Sequence, residues 1–376
     1  MPQATVVRRR RAAVLATAVL ALVGGAAVGA GGGDEPQQPA KQQTTPQALA
    51  APTASPKPSA VEKLSLRRQV GKLVVLRFQG TTAPSYVRNI LRRGWAAGAI
   101  LFGDNIVSPQ QLKALTRQLR KASKATPIVC TDQEGGSVRN VAWAPPARAQ
   151  SEQDPRAEAR AGGKALRALG INVTLAPVAD VPSNANSAMA GRAFSRDAGS
   201  TAEAVKAAVQ GWRAGGVAAT AKHFPGLGGA TINTDDGPAM IGGAPTADDL
   251  APFRAAIAAR VPLIMSSHAR YPRLDGDRIA SQSRPILDGL LRKRLHYQGV
   301  VMTDSIEAAA VAATGSLEQA ALRSIAAGND IVLTTGRGSW IRVYRALLAE
   351  ARRSAAFRAR VETSAARVLA LQNALR

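Results

Sequence analysis

Residues 299–305 read GVVMTDS, a short apolar run that ends in an acidic residue. Such a run of β-branched and apolar residues is typical of a strand buried on both faces. Asp304 follows the run directly, so the strand would hold this carboxyl group at its end. Similar runs followed by polar residues recur along the chain, which suggests a parallel sheet built from equivalent units.

The repetition amounts to eight predicted strands separated by helical stretches. The predicted strands are residues 72–78, 98–102, 127–131, 172–176, 217–221, 262–266, 299–303 and 330–334. The predicted helices include residues 108–124, 152–169, 202–214 and 248–259. This alternation indicates a parallel α/β fold. Eight units without a phosphate-binding glycine fingerprint favour one closed (β/α)8 TIM barrel over an open doubly wound sheet.

Barrels of this kind gather reactive side chains where the carboxyl ends of the strands meet. Polar residues follow five of the predicted strands: Asp132 and Glu134 after the third, Asp180 after the fourth, Lys222 and His223 after the fifth, His268 after the sixth and Asp304 after the seventh. Any one of them could merely cap a helix. Their coincidence at one end of the sheet predicts an active face.

The N-terminal part of the chain is predicted to be a targeting segment followed by a flexible linker. Arginines at 8–11 precede an apolar run at 12–28, so residues 1–30 are interpreted as a signal peptide or an N-terminal anchor. Cleavage near Ala30 is favoured, and the Sec and twin-arginine export routes both stay open. Residues 31–60 are predicted to be a disordered linker. The catalytic domain is predicted at 61–376, in an extracellular or envelope-associated protein.

The composition carries a strong positive charge, with a formal net charge of +24 from 49 Lys and Arg against 25 Asp and Glu. Aromatic residues make up only 4% of the chain, which disfavours nucleic acid as a partner because bases bind on aromatic platforms. A diffuse attraction to an anionic cell envelope is the preferred interpretation. We expect a monomer, in which the single cysteine, Cys130, is a buried thiol.

The segment KHFPG at 222–226 resembles the signature of glycoside hydrolase family 3. Four further motifs occur in the order and spacing of that family. They are TDQEGG at 131–136, GRAFS at 191–195, SSHARYP at 266–272 and GVVMTDS at 299–305. Together these motifs span most of the chain. The resemblance points to the one-domain bacterial β-N-acetylglucosaminidases, without a second C-terminal domain.

Hydrolysis of a glycoside with retention needs a carboxylate beneath the anomeric carbon and a second group that protonates the departing oxygen. The resemblance implies that Asp304 is the nucleophile. It also implies that four residues bind the sugar: Asp132, Arg192, Lys222 and His223. We expect Glu134 and Asp180 to hold loops near the site. Glu307 is expected to fall inside the helix that follows and to point away from the site, and His268 is left open between a site role and a structural one. No cofactor is expected, and no metal site, because the three histidines are dispersed.

The acid/base loop departs from the family pattern. The loop reads LGGATINTDDGPAM at 227–240, and Asn233, Thr234 and Asp235 occupy the positions of the Asp-Ser-His element that the branch uses as its acid/base. Asp235 is therefore predicted to be the general acid/base, with Asp236 as the alternative. The glycines of this loop suit a mobile lid, although an ordinary surface loop is also possible. Asn140 stands where the branch usually has an arginine.

Taken together, these features predict an exported retaining β-glycosidase that removes terminal β-linked N-acetylhexosamine. The expected substrate is N-acetylglucosamine on peptidoglycan fragments or related glycans. Two alternatives follow from the divergent loop, namely another exo-β-glycosidase such as a β-glucosidase, and a glycan-binding pseudoenzyme. A third, polyanion binding, follows from the net charge alone.

Overall fold

The structure is a computed structural model that describes residues 60–376. The predicted signal segment and residues 31–59 of the predicted linker lie outside the described residues. Within the described part, eight short parallel strands form one sheet. They are β1 Val74–Arg77, β2 Gly98–Ile100, β3 Ile128–Thr131, β4 Val173–Thr174, β5 Thr220–Phe224, β6 Leu263–Ser266, β7 Val300–Ser305 and β8 Ile331–Leu333.

The sheet closes on itself. Strand β1 pairs in parallel with β2 and also with β8, where Val74 lies opposite Val332. Isolated bridges between Val173 and Ala218 and between Val178 and Lys222 connect β4 with β5. Closure removes the open edges that a parallel sheet would otherwise expose. The predicted (β/α)8 barrel is confirmed, and each of the eight predicted strands overlaps an observed one.

Helices follow the strands and surround the barrel. They are α1 Leu66–Gly71, α2 Ser85–Arg93, α3 Pro109–Ala122, α4 Pro155–Ala168, α5 Ala198–Ala214, α6 Ala247–Ala258, α7 Ala309–Ala312, α8 Leu317–Ala327, α9 Ser339–Arg353 and α10 Ala355–Ala374, with a π-helical segment at Pro285–Arg294. The side chains of Ser108, Asp154 and Asp197 accept backbone N–H groups at the starts of α3, α4 and α5. Such caps explain where these predicted helices begin.

The hydrophobic core has two layers. One layer fills the barrel with side chains such as Val75, Ile100 and Met302, and Leu371 of α10 packs against it. The other lies between the strands and the surrounding helices. Cys130 belongs to the inner layer, where burial raises the pKa of its thiol. No helix of the described chain has both the length and the apolarity needed to cross a bilayer.

Two predicted placements are wrong, namely the end of β5 and the position of Glu307. Strand β5 extends to Phe224 instead of ending at residue 221, so Lys222 and His223 lie within the strand. The apolar pattern of the sequence ends before the strand does, because Lys222 and His223 are polar. Inside the fold, partners that are distant in the chain satisfy these two side chains. Glu307 lies in a turn before α7, and its carboxylate accepts hydrogen bonds from the backbone and hydroxyl of Thr335.

Candidate active site

Six of the predicted side chains form a cluster at the carboxyl ends of β3, β5 and β7. They are Asp132, Glu134, Arg192, Lys222, His223 and Asp304, and ion-pair contacts link them in two groups. Five come from strand ends or the residues just beyond them, while Arg192 comes from the long connection between β4 and α5. The barrel therefore brings together residues that lie far apart in the chain.

Lys222 is the centre of the first group. Its ammonium lies 2.6 Å from Asp132 Oδ1 and 2.7 Å from Glu134 Oε1. Arg192 donates two hydrogen bonds to Glu134, from Nε to Oε2 at 2.9 Å and from Nη2 to Oε1 at 2.7 Å. Burial alone would raise the pKa of Glu134, but the charges of Lys222 and Arg192 outweigh it and lower that pKa to about 2. Glu134 is therefore held as a carboxylate between two positive groups.

The second group fixes the imidazole of His223. Its Nδ1–H donates to Asp180 Oδ2 at 2.7 Å. The other oxygen of Asp180 accepts the backbone N–H groups of His223 at 3.1 Å and Leu227 at 2.6 Å. Asp180 thus orients the ring and anchors the start of the following loop. The second ring nitrogen, Nε2, faces Asp304 Oδ2 at 3.6 Å.

Asp304 is held as a carboxylate. Burial would raise its pKa, but the electrostatic influence of His223, His268 and Lys222, together with the Ser305 backbone N–H, lowers it overall. That N–H donates to Asp304 Oδ1 at 2.8 Å. The other carboxylate oxygen, Oδ2, faces His223 and accepts no hydrogen bond from the Ser305 backbone.

His268 supports the end of β7. Its Nε2–H donates to the carbonyl of Ser305 at 2.9 Å, and its Nδ1 accepts from the Ser281 hydroxyl at 2.7 Å. Burial lowers the pKa of this imidazole, in agreement with the neutral tautomer that these partners require. Both ring nitrogens are occupied by protein groups, which favours a positioning role over contact with a ligand.

The loop that carries Asp235 is anchored next to this cluster. Asn233 forms a turn in which its side-chain oxygen accepts the N–H of Asp235 and its carbonyl accepts the N–H of Asp236. The carbonyls of Thr234 and Asp235 accept N–H groups from Ala310 and Ala309, at the start of α7. These bonds attach the turn to the segment that follows Asp304.

The Asp235 carboxyl differs from that of Asp304 in its surroundings. Partial withdrawal from water, followed by repulsion from the Asp304 carboxylate, raises the pKa of Asp235 to about 6. The charges of His223, Arg192 and Lys222 act in the opposite direction and are outweighed. The residue as a whole is exposed, as is Asp236. The mouth of the barrel therefore holds two carboxyl groups with opposite tendencies to ionise.

Two features of the site were not evident from the sequence. Glu134, interpreted as a loop holder, is the shared counter-ion of Lys222 and Arg192. Its spacing of two residues from Asp132 was the available signal, since both then lie on one side of an extended segment. Asn140, at the position of the expected arginine, donates from its side chain to the carbonyl of Asp132 at 3.1 Å. In the described part of the chain, no three His, Cys, Asp or Glu side chains are grouped to hold a metal ion.

Comparison with known proteins gives a consistent result. The model of the glycosyl hydrolase family 3 N terminal domain matches residues 65–371. A protein named "Beta-hexosaminidase" from Stenotrophomonas maltophilia is 34% identical over 278 residues, which cover 69% of this chain and 82% of that protein. An "Uncharacterized secreted glycosyl hydrolase" from Arthroderma benhamiae is 35% identical over 298 residues, covering 73% of this chain and 84% of that protein.

Solved structures show the same likeness. A β-N-acetylhexosaminidase from Beutenbergia cavernae superposes with a TM-score of 0.76 at 34% identity, covering 82% of this chain and 99% of that one. A family 3 β-N-acetylglucosaminidase from Paenibacillus gives a TM-score of 0.78 at 30% identity, covering 83% of this chain. The present chain spans only 63% of the Paenibacillus protein, which is less than two thirds of its length.

Glu134→Gln is expected to destabilise the fold by about 3 kcal/mol at pH 7, because Lys222 and Arg192 lose their shared buried counter-ion. The folded-state pKa of about 2 lies below the ordinary value of 4.5. The stabilisation is therefore fully present above about pH 4.5 and is lost as pH falls toward 2. Urea unfolding of both proteins between pH 7 and pH 3 measures this difference and its decline.

The matched control is Glu158→Gln, which removes a surface pair with Arg148 at 3.5 Å. We expect it to change the free energy of unfolding by less than about 1 kcal/mol. Equal effects of the two substitutions at pH 7 would contradict the role given to Glu134.

Proposed function

This chain belongs to glycosyl hydrolase family 3 and is a glycoside hydrolase, and from that premise we propose that it is an exported β-N-acetylhexosaminidase acting through a covalent glycosyl-enzyme intermediate. The proposed substrate is terminal β-linked N-acetylglucosamine on peptidoglycan fragments or related glycans. The names of the relatives from Stenotrophomonas and Beutenbergia support this sugar. The observation that carries the mechanism is the Asp304 carboxylate, held ionised at the end of β7 beside His223.

In the first step, the Asp304 carboxylate attacks the anomeric carbon and forms a covalent ester with the sugar. The bond between that carbon and the glycosidic oxygen breaks, and Asp235 gives its proton to the departing oxygen. A pKa of about 6 suits this role, since the carboxyl group keeps its proton in weakly acidic solution. The pKa of Asp304 is lowered, so this group is already ionised under the same conditions.

In the second step, a water molecule attacks the anomeric carbon from the face that the leaving group has vacated. Asp235, now ionised, takes a proton from that water, and the ester bond to Asp304 breaks. Two displacements at one carbon return the sugar in its original configuration. Asp235 regains its proton and the Asp304 carboxylate is restored, so the enzyme returns to its starting state.

The buried charges supply fixed partners for the sugar. Lys222 uses two of its three N–H donors on Asp132 and Glu134, which leaves one for a hydroxyl of the ring. Asp132 keeps an oxygen free to accept from a second hydroxyl. Arg192 Nη1 donates to Met189 Sδ at 3.7 Å and keeps its second N–H for the sugar. His223 presents Nε2 toward the nucleophile. Because the protein already holds these groups in place, little reorganisation accompanies substrate binding.

Export is proposed from residues 1–30, and the fungal relative described as secreted is consistent with it. N-terminal sequencing of native protein from outside the cytoplasmic membrane is expected to give a start after about Ala30. A start at Met1 or Pro2 in a membrane fraction would contradict cleavage and favour an anchor. The net charge of +24 supports an association with an anionic envelope, and we expect the enzyme to act as a monomer.

Asp304→Ala is expected to lower kcat by about four orders of magnitude or more with N-acetyl-β-glucosaminides, because the covalent step loses its nucleophile. The thermal midpoint should stay close to that of the parent protein. The assay uses nitrophenyl β-N-acetylglucosaminide and nitrophenyl β-glucoside side by side, so that it also tests the proposed sugar. Near-normal turnover by Asp304→Ala would remove this residue from the mechanism and bring forward Glu134 or Asp180.

Asp235→Ala is expected to act differently on substrates with good and poor leaving groups. A dinitrophenyl glycoside needs little protonation, so its covalent intermediate should form and then accumulate, because hydrolysis lacks a base. Azide should restore turnover and give a β-glycosyl azide. The parent enzyme should lose activity on poor leaving groups as pH rises through about 6, since the proton on Asp235 is lost there.

Asp236→Ala is the matched control for this experiment. It removes the neighbouring carboxyl group from the same turn and should leave the leaving-group dependence and the alkaline decline unchanged. Azide rescue of Asp236→Ala instead of Asp235→Ala would transfer the acid/base role to Asp236.

A further inference from the structure

A second cavity lies at the end of the barrel opposite the candidate active site. Its volume is about 590 Å³. The segments that form it precede strands, since Arg292 lies in the π-helical segment before β7 and Gly328 lies between α8 and β8. Helix α10 completes the wall. We refer to this cavity, which is lined by Arg284, Arg292, Arg360 and Arg367, as the basal groove.

Three of these arginines share a single carboxylate. Asp330 directly precedes β8 and is fully buried. Its Oδ2 accepts from Arg292 Nη2 at 2.6 Å, and its Oδ1 accepts from Arg360 Nη2 at 3.0 Å and from Arg367 Nη1 at 3.2 Å. A backbone N–H and a serine hydroxyl also donate to this carboxylate, at 3.0 Å each. One negative charge therefore faces three guanidinium groups and cannot balance all of them.

The two carboxylates that line the groove pair with cations outside its lining. Asp288 lies 3.0 Å from Lys293 Nζ and 3.7 Å from Arg284 Nε. Glu350 forms an ion pair with Arg353. Neither Lys293 nor Arg353 is part of the lining. Because these two cations balance the two carboxylates, the basal groove keeps a positive charge.

Several guanidinium donors in the groove have no partner in the protein. Within residues 60–376, Asp330 is the only hydrogen-bond partner of Arg367, which leaves its Nε and Nη2 free. Arg360 uses Nε and Nη2 on two carbonyls and on Asp330, so its Nη1 is also free within the same residues. Burial, together with the charges of Arg367 and Arg360, lowers the pKa of Arg292 despite the attraction of Asp330. A further anion would reduce this repulsion.

The charge and size of the groove favour a phosphate monoester over a single carboxylate. A phosphate monoester carries about two negative charges at neutral pH and three acceptor oxygens, which suit the charge that Asp330 leaves unbalanced and the free donors of Arg360 and Arg367. The hydroxyl groups of Ser354 and Thr363 add polar surface to the lining. A cavity of about 590 Å³ is larger than one anion and has room for the group that carries it.

We propose that the basal groove is a second ligand site, which binds a phosphate monoester group. Arg367 and Arg360 donate to the phosphate oxygens, and Arg284 adds a positive charge at the exposed entrance. The carrier of the phosphate is either a soluble small molecule or a lipid whose headgroup is a phosphate monoester. Because the groove and the candidate active site lie at opposite ends of the barrel, both can be occupied at once. Binding in the groove does not depend on the proposed hydrolysis.

Equilibrium titration of the full chain with glycerol 3-phosphate tests the site, and glycerol is the uncharged control. Glycerol 3-phosphate is expected to bind, and glycerol is not. Arg367→Gln should raise Kd about tenfold or more, because the phosphate loses charged donors. Arg284→Gln should raise Kd about threefold, since this residue is exposed. The matched control is Arg345→Gln, which removes the same charge from an exposed position on α9 outside the groove and should keep the parent Kd.

Circular dichroism establishes that each variant is folded. If Arg367→Gln does not fold, the comparison of Arg284→Gln with Arg345→Gln decides, because the exposed Arg284 lies outside the Asp330 cluster. The proposal is overturned if the parent protein binds glycerol 3-phosphate no better than glycerol. It is also overturned if the folded groove variants keep the parent Kd, or if Arg345→Gln weakens binding as much as they do.

Co-sedimentation with phosphatidylcholine vesicles, with and without phosphatidic acid, identifies the carrier. Vesicle binding that requires phosphatidic acid, and that Arg284→Gln weakens more than Arg345→Gln does, assigns the phosphate to a lipid headgroup. Any other vesicle result, with glycerol 3-phosphate bound as expected, assigns it to a soluble ester.

Discussion

The ammonium of Lys222 is almost fully buried, and a charge in such a position is tolerated only when opposite charges surround it. Asp132 and Glu134 meet this need from the chain that follows β3, so the ion pairs connect β3 with β5 at the mouth of the barrel. Arg192 completes the balance from a long loop. Each member depends on the others, and the site is consequently rigid before any ligand arrives.

The contrast between Asp304 and Asp235 follows from this cluster. Asp304 lies among positive groups on a strand, which lowers its pKa. Asp235 is partly withdrawn from water and is repelled by the Asp304 carboxylate, so its pKa rises. The same amino acid can thereby act as a nucleophile in one place and as an acid in another. The turn at Asn233 matters for this division because it fixes the loop to the start of α7. A loop without a histidine can thus still supply a titrating group.

The sequence predicted the strands and the main helices because buried runs and helix caps are local signals. It placed the end of β5 three residues early because Lys222 and His223 resemble loop residues until their partners are known. Those partners lie 90 and 43 residues away, at Asp132 and Asp180. Glu134 was underestimated for the same reason. The proximity of Tyr86 and Arg337 could not be predicted, since these residues become neighbours only when β1 pairs with β8.

Barrel closure therefore places basic side chains in two settings with different physical character. Around Lys222 the charges are paired, and Lys222 and Glu134 are buried, so removing one partner leaves a buried charge with too few opposite charges, at a cost of several kcal/mol. On the segment after β8, Arg337 is exposed and forms no ion pair within the described chain, so its replacement changes the local potential without disturbing the core. The groups next to the nucleophile are consequently constrained by the fold, whereas an exposed residue such as Arg337 is free to vary. Selection can therefore act on the exposed rim of the barrel while the buried cluster stays intact.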